Sequence, residues 1–206
     1  MGPVASGPTY HDPELLQRAW ALPVAKAYSP LLSQSFTSIC GPTSVANVLR
    51  SLGVPSRRNP LRGIGLRAMS VDQLATEAAE KLPSGWQTRV LRPRSVDELR
   101  AELRTANEPS RRYVANFARG PIFGRGGGHH SPIGGYLEAE DLAFVLDVNA
   151  SYGPWLVGTA GLFEAINTTA DWSTGKTRGL VRFERLPPSG SSAREEDRAF
   201  RAVGNE

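Results

Sequence analysis

The chain has 206 residues, enough for one sizeable hydrophobic core but too few for two independent domains. Its 40% hydrophobic and 21% charged residues are typical of a globular protein and argue against wholesale disorder. The net charge of +4 comes from arginines spread along the whole chain, without the aromatic-interleaved basic stripe of a nucleic-acid-binding protein.

Two classes of protein are excluded by segments that the sequence lacks. No apolar run approaches the roughly 18 residues of a membrane span, and the first residues do not have the basic and apolar regions of a signal peptide. We therefore expect a soluble, cytoplasmic protein with neither a membrane nor a nucleic acid as partner. The single cysteine, Cys40, excludes an intrachain disulfide, and three histidines are a poor supply for a Cys/His zinc site. Cys40 thus has either a chemical or a packing role, and no metal site is predicted.

Helical signals are concentrated in the first half of the chain. After residues 1–12, which we interpret as a flexible extension, Pro42 suits the first turn of a helix whose apolar residues recur at helical spacing as far as Gly53. Two capping boxes predict further helices, one at Ser70 and one at Ser95. The nucleophile candidate Cys40 therefore lies at the start of a helix.

The second half of the chain is typical of β-structure. Short segments with β-branched or aromatic residues are separated by Gly, Pro and Asn, and they predict strands over 86–91, 112–117, 132–136, 142–148 and 179–184. One helix is predicted over 160–167, with Thr159 as its N-cap. We expect one α+β domain over residues 13–186, with a cleft between its helical and β parts, followed by a flexible tail over 187–206.

The segment before the first long helix could carry nucleophilic chemistry. A thiol at a helix N-terminus lies at the positive end of the helix dipole, which favours the thiolate, and the free N–H groups there can face an oxyanion. Gln34, six residues before Cys40, offers a neutral amide donor for the same oxyanion. A small, buried and unreactive cysteine is the competing interpretation of Cys40.

Two later segments could complete a catalytic site. Glycines 126–128 precede His129 and His130 and let the backbone pass close to a substrate, although a purely structural loop is an open alternative and the spacing does not match a nucleotide-binding loop. Asp147 follows an apolar run, where a buried carboxylate needs a partner such as an imidazole, unless it lies in a surface turn. Cys, His and Asp occur in the order found in papain-like enzymes.

Several separated motifs together resemble the phytochelatin synthase family, the glutathione γ-glutamylcysteinyltransferases, over about residues 28–184. They are residues 34–41, 116–119, 128–136, 146–148, 154–155, 165–168 and 173–179. The resemblance implies a papain-like fold, in which a helical lobe with the nucleophile at a helix N-terminus packs on an antiparallel β-sheet lobe that carries the histidine and the aspartate.

The resemblance also assigns individual residues. It implies Cys40 as the nucleophile, His129 rather than its neighbour as the base, and Asp147, eighteen residues later, as the orienting carboxylate. Gln34 matches the oxyanion glutamine. Substrate-binding positions are implied as a group: Arg119, Arg178, Gly128 and Ser35. His130 departs from the pattern, since an apolar residue is usual there.

The function implied by the resemblance is attack on the Cys–Gly amide of glutathione or a related γ-glutamyl thiol peptide, followed by transfer of the acyl group to water or to a second glutathione. No cofactor is expected beyond activation by metal–thiolate complexes of the substrate, and a homodimer is compatible with the family. Two alternatives stay open: the same acyl-enzyme chemistry on another substrate, and a non-catalytic binding module of the same fold.

Overall fold

A computed structural model describes residues 10–61, 68–170 and 175–187. Within these residues the chain forms seven α-helices: α1 Pro13–Ala21, α2 Pro23–Ala27, α3 Cys40–Ser51, α4 Val71–Ala79, α5 Val96–Arg104, α6 Arg119–Phe123 and α7 Thr159–Ile166. The strands are β1 Trp86–Leu91, β2 Arg111–Ala118, β3 Gly128–Leu137, β4 Leu142–Val145, β5 Trp155–Gly158 and β6 Gly179–Arg185. Most of the expected terminal extensions, residues 1–9 and 188–206, lie outside the described residues.

The six strands form one antiparallel sheet in the order β1-β6-β2-β3-β4-β5. The predicted α+β class and antiparallel sheet are confirmed. Strand β3 lies in the middle, between β2 and β4, and pairs His130 with Asn116 and His129 with Phe117. Because successive side chains of a strand alternate in direction, the His130 ring lies beside Asn116 and the His129 ring beside Phe117.

Helices cover both faces of the sheet, which the sequence did not predict. The helices α1 to α4 pack with Val114 and Phe144 in one hydrophobic cluster. The other face packs with α5, α6 and α7, and it includes Ala115 and Phe117. The strand β2 alternates between the two clusters residue by residue, as expected for a strand that is buried on both sides.

The helix signals before α3 and α4 are correct. Helix α3 begins at Cys40, and the chain leaves it through Gly53, whose positive φ of 78° suits glycine. At the start of α4, the Ser70 side chain accepts from the backbone of Gln73, and the Gln73 side chain accepts from the backbone of Ser70. These local signals hold because each depends only on residues within one or two turns.

Several details of the fold differ from what the sequence predicted. The cap of α7 is Gly158 rather than Thr159, because the Thr159 hydroxyl bonds to the Asp141 carboxylate instead. Helices α1, α2 and α6 and strand β5 were not predicted. Tyr10 and Asp12, assigned to the flexible extension, are packed: Tyr10 lies against Trp155, and the Asp12 carboxylate caps α1.

Candidate active site

Cys40 is the first residue of α3 and is half-buried with a free thiol. A short 3-10 turn, Thr37–Ile39, leads directly into it, and no side chain caps the helix start. The first N–H groups of a helix have no partner inside the helix, so here they remain available beside the thiol. This is the arrangement expected for a thiolate and an adjacent oxyanion.

His129 and Asp147 form a buried pair next to this helix start. The His129 Nε2 atom lies 2.9 Å from the Asp147 Oδ1 atom, and the two residues are 4% and 1% exposed. The carboxylate also accepts hydrogen bonds from the indole N–H of Trp155 at 3.0 Å and from the backbone N–H of Asn149 at 2.9 Å. With Nε2 committed to the carboxylate, Nδ1 is the ring nitrogen left for another partner.

The three groups influence one another's protonation. Burial raises the pKa of the Cys40 thiol, but hydrogen bonds from His129 and His130 outweigh it and lower the pKa to about 5. Burial lowers the pKa of His129, yet hydrogen bonds with Asp147 and Cys40 raise it overall. Burial likewise raises the pKa of Asp147, and the hydrogen bond and charge of His129 lower it overall. Both shifts act in the direction that favours a thiolate–imidazolium pair over a neutral thiol and imidazole.

Gln34 is tied to the segment that carries the aspartate. Its backbone N–H donates to the carbonyl of Val148 at 2.7 Å, so the residue lies beside the end of the Asp147 segment. Its side-chain Oε1 atom is buried and accepts no hydrogen bond from the described residues. An oxyanion would be stabilised by the side-chain NH₂ group of Gln34, and that role stays a prediction.

Arg119 has a partner that the sequence did not predict. Its guanidinium donates to both carboxylate oxygens of Asp147, at 2.8 and 2.9 Å, and is 5% exposed. It also stacks on the Tyr152 ring at 3.5 Å. Arg119 therefore holds the Asp147 carboxylate in place, because a buried carboxylate needs a buried counter-charge. Its predicted contact with the substrate stays a prediction.

Arg178 and Gly128 are brought together, as expected for two residues that share a role. A Cβ atom on Gly128 would lie 2.3 Å from an Arg178 guanidinium nitrogen, so any larger residue there would displace the guanidinium. Arg178 donates from Nη1 to the Asn116 side-chain oxygen at 3.2 Å and from Nε to the Thr168 hydroxyl at 3.0 Å. Ser35, by contrast, is exposed, and its hydroxyl accepts from Arg58 at 2.8 Å.

Comparison with known proteins supports this arrangement. The family model described as phytochelatin synthase matches residues 60–180, more than half of the chain. The chain belongs to the phytochelatin synthase family. The matched part contains His129, Asp147 and both arginines, whereas Cys40 and Gln34 precede it and join the site through α3 and the Gln34 backbone.

Plant enzymes are among the relatives of this phytochelatin synthase family member. It is 38% identical over 93 residues to glutathione gamma-glutamylcysteinyltransferase 1 of Triticum aestivum, covering 44% of the chain and 18% of that protein. It is 28% identical over 193 residues to the Arabidopsis thaliana protein of the same name, covering 84% of the chain and 39% of the relative. The chain thus spans well under half the length of these relatives.

Solved structures confirm the papain-like fold. The peptidase domain of Streptococcus ComA, a bi-functional ABC transporter involved in quorum sensing, superimposes with a TM-score of 0.52 at 18% identity, over 76% of this chain and 98% of that one. A double glycine motif protease from an AMS/PCAT transporter gives a TM-score of 0.50 at 14% identity, over 76% and 91% of the two chains. At such low identity the likeness concerns the fold alone.

Three side chains at the site had no assigned role in the sequence. Asn116 and Trp155 lie inside family motifs, which was the only signal available for them. The third is His130, whose Nδ1 atom lies 3.8 Å from the Cys40 sulfur. Among the described residues no group of acidic, histidine and cysteine side chains could hold a metal ion, and no described helix is long and apolar enough to cross a membrane.

Proposed function

We propose that this member of the phytochelatin synthase family cleaves the Cys–Gly amide of glutathione, or of a related γ-glutamyl thiol peptide, through an acyl-enzyme on Cys40. The observation that carries the proposal is the buried His129–Asp147 pair beside a thiol whose pKa is lowered to about 5. A thiolate is the reactive form of cysteine, and a protonated imidazole next to it is ready to serve as the general acid.

The proposed first step transfers the acyl group to the enzyme. The Cys40 thiolate attacks the carbonyl carbon of the Cys–Gly bond, while the Gln34 amide and the N–H groups at the start of α3 stabilise the oxyanion. As the tetrahedral intermediate collapses, the C–N bond breaks and the His129 imidazolium gives its proton to the departing amine of glycine. The product is a γ-glutamyl-cysteinyl thioester of Cys40, with His129 neutral.

The second step regenerates the thiolate. Neutral His129 takes a proton from the incoming nucleophile, which attacks the thioester carbonyl, and the C–S bond breaks. Water yields free γ-glutamyl-cysteine, whereas the amine of a second glutathione yields a longer peptide of the phytochelatin type. Both outcomes start from one intermediate, so the acceptor determines whether the protein acts as a hydrolase or as a transferase.

Substrate recognition in this proposal relies on cationic side chains. Glutathione carries two carboxylates, which guanidinium groups recognise with paired hydrogen bonds. Arg178 is half-buried over Gly128, next to His129 in the chain, and is the proposed contact. Arg119 is engaged with Asp147, although its Nη1 atom is buried and donates to none of the described residues, so it offers one further donor.

The remaining proposals concern cofactors, partners and location. Proton transfer and acyl transfer are both assigned to side chains, so we propose no resident metal or cofactor, with metal ions acting as thiolate complexes of the substrate. The γ-glutamyl peptide is the proposed partner. The absence of a membrane or nucleic-acid partner, a cytoplasmic location and a homodimer stay predictions from the sequence.

Intact-protein mass spectrometry tests the acyl-enzyme. The protein is mixed with S-methylglutathione, whose sulfur cannot form a disulfide with Cys40, and is quenched with acid. We expect an adduct of one S-methylated γ-glutamyl-cysteinyl group that is released by hydroxylamine, as a thioester is. Cys40→Ala is the control and should carry no adduct. An unmodified protein that nevertheless releases glycine would contradict covalent catalysis at Cys40.

The products separate the two acceptors. Chromatography of a glutathione digest is expected to reveal free γ-glutamyl-cysteine if water resolves the thioester, and longer γ-glutamyl-cysteine repeats if a second peptide does. A protein that is alkylated at Cys40 but forms neither an adduct nor a product with glutathione would favour the alternative of a different acyl donor.

A further inference from the structure

A second imidazole reaches the reactive thiol. His130 is 3% exposed, and its Nδ1 atom lies 3.8 Å from the Cys40 sulfur, within the range of a hydrogen bond to sulfur. Its backbone is held to the same helix, because the Ser44 hydroxyl lies 3.1 Å from the His130 carbonyl and 2.8 Å from the Cys40 carbonyl. The position is therefore built against the start of α3 and is not an accident of a mobile side chain.

The neighbours of His130 determine where its proton lies. Arg178 donates to the Asn116 side-chain oxygen at 3.2 Å, which orients that amide. The amide nitrogen then faces the imidazole, at 2.8 Å from Nε2 and 3.2 Å from Nδ1. An amide nitrogen only donates, and its shorter contact is with Nε2, so this contact favours Nε2 as the acceptor. A neutral imidazole with Nε2 as acceptor carries its proton on Nδ1, the atom that faces Cys40.

Resting on the proposed role of Cys40 as nucleophile, we propose that His130 is a second catalytic histidine, which stays neutral and donates its Nδ1–H to the Cys40 thiolate while His129 exchanges the proton. A neutral donor stabilises the thiolate without competing for its proton. It therefore acts at both ends of the cycle: on the attacking thiolate, and on the thiolate that leaves when the thioester is resolved.

The charged surroundings fit this division of labour. The Cys40 sulfur lies 3.8 Å from His130 Nδ1, and Asp147 and Arg119 lie behind His129, whereas the first turn of α3 holds no acidic or basic residue. The carboxylate serves only one of the two histidines, so only that one is built to hold a positive charge.

The pH dependence of alkylation tests the donor role. Cys40 is the single cysteine, so iodoacetamide reports on one thiol without any substrate. In His130→Phe we expect the midpoint of the rate against pH to rise by about one pH unit. In His130→Asn, whose amide nitrogen occupies the place of Nδ1, it should stay near the unsubstituted value. Equal midpoints in all three proteins, or a rise in the Asn variant as large as in the Phe variant, would overturn the proposal.

Nitrogen NMR of the unsubstituted protein gives a test that does not depend on the folding of a variant. The chain has three histidines, and labelled imidazole nitrogens distinguish the two neutral tautomers from the doubly protonated ring. We expect His130 to be neutral with its proton on Nδ1. A proton on Nε2, or on both nitrogens at neutral pH, would refute the inference. Neither measurement uses glutathione. The proposal that glutathione is the substrate and the proposal that His130 donates to Cys40 can therefore fail independently of each other.

Discussion

Two series of hydrogen-bonded side chains lead towards Cys40. Each begins with an arginine and ends with a histidine, and they differ only in the middle residue. They are Arg119–Asp147–His129 and Arg178–Asn116–His130. In the first, the middle member is a carboxylate, which stabilises a positive imidazole. In the second it is an amide, which stabilises a neutral one. The difference between a carboxylate and an amide beside the two imidazoles is the basis of the different tasks proposed for His129 and His130.

Removal of each histidine is the strongest test of this difference. We expect His129→Ala to reduce turnover by about 10⁴-fold or more, because general acid and base are both lost. His130→Ala should cost about 10- to 100-fold, as expected for one hydrogen bond to a charged group. His11→Ala is the control, since that side chain is exposed and its hydrogen bond within the described part of the chain is with the Tyr152 carbonyl. Equal losses of turnover in His129→Ala and His130→Ala would contradict different roles for the two histidines.

Replacing Asp147 with asparagine gives both series the same middle residue. Asp147→Asn turns the first series into a copy of the second, and we expect turnover to fall by about 10²- to 10³-fold because the imidazolium loses its carboxylate. Asp141→Asn is the matched control, because Asp141 also pairs with an arginine, Arg100 at 3.0 Å, but it serves neither histidine. Steady-state rates should be unchanged there. A loss in the control as large as in Asp147→Asn would point to general destabilisation.

The two arginines are expected to differ in stability measurements. Asp147→Ala leaves Arg119 buried without its counter-charge, so we expect the free energy of unfolding to fall by about 3–5 kcal/mol. Adding Arg119→Met should recover most of that loss without restoring turnover, because an apolar pair of similar size no longer carries a buried charge. Urea denaturation monitored by tryptophan fluorescence measures both effects. No recovery in the double variant would show that the ion pair is not the source of the loss.

Substitutions at the adjacent glycines Gly127 and Gly128 test the proposed role of Arg178. Gly128→Ala must displace the Arg178 guanidinium, whereas Gly127→Ala meets no atom within 4 Å and is the control. We expect kcat/KM for glutathione to fall about 10-fold in the first variant, equivalent to one hydrogen bond to a charged group, and to stay unchanged in the second. Equal values in the two variants would exclude Arg178 from substrate binding.

The dependence of turnover on pH distinguishes the proposed roles of the two histidines, because their variants should shift opposite limbs of the profile. The lowered Cys40 pKa means that the thiolate is present above about pH 5 and is lost as the pH falls through that value. The raised His129 pKa means that its proton is kept to a pH above 6.5. Turnover should therefore follow a bell between these limits, which belong to the coupled pair. Asp147→Asn should move the alkaline limb down, and His130→Phe the acid limb up, by about one unit each.

Much of the site was accessible from sequence because its signals are local. The helix that begins at Cys40, the capping box of Ser70 and the carboxylate after the apolar run are all decided within a few residues. The assignment of His129 over His130 needed the family pattern, because both follow the same glycines. Strand β5 escaped prediction, since its four residues are too few for a clear alternation.

The sequence by itself determined the α+β class and the helix start at Cys40, because propensity and capping act over short separations. It also showed the order Cys40, His129 and Asp147, to which the proposed roles of nucleophile, base and orienting carboxylate are assigned. Only the tertiary structure decided that Arg119 pairs with Asp147, that Asn116 faces His130 and that both histidines reach one thiol. Cys40 and His130 are 90 residues apart, and a contact at that separation depends on how α3 packs against β3 rather than on any local pattern. The division of labour that we propose for the two histidines depends on that packing.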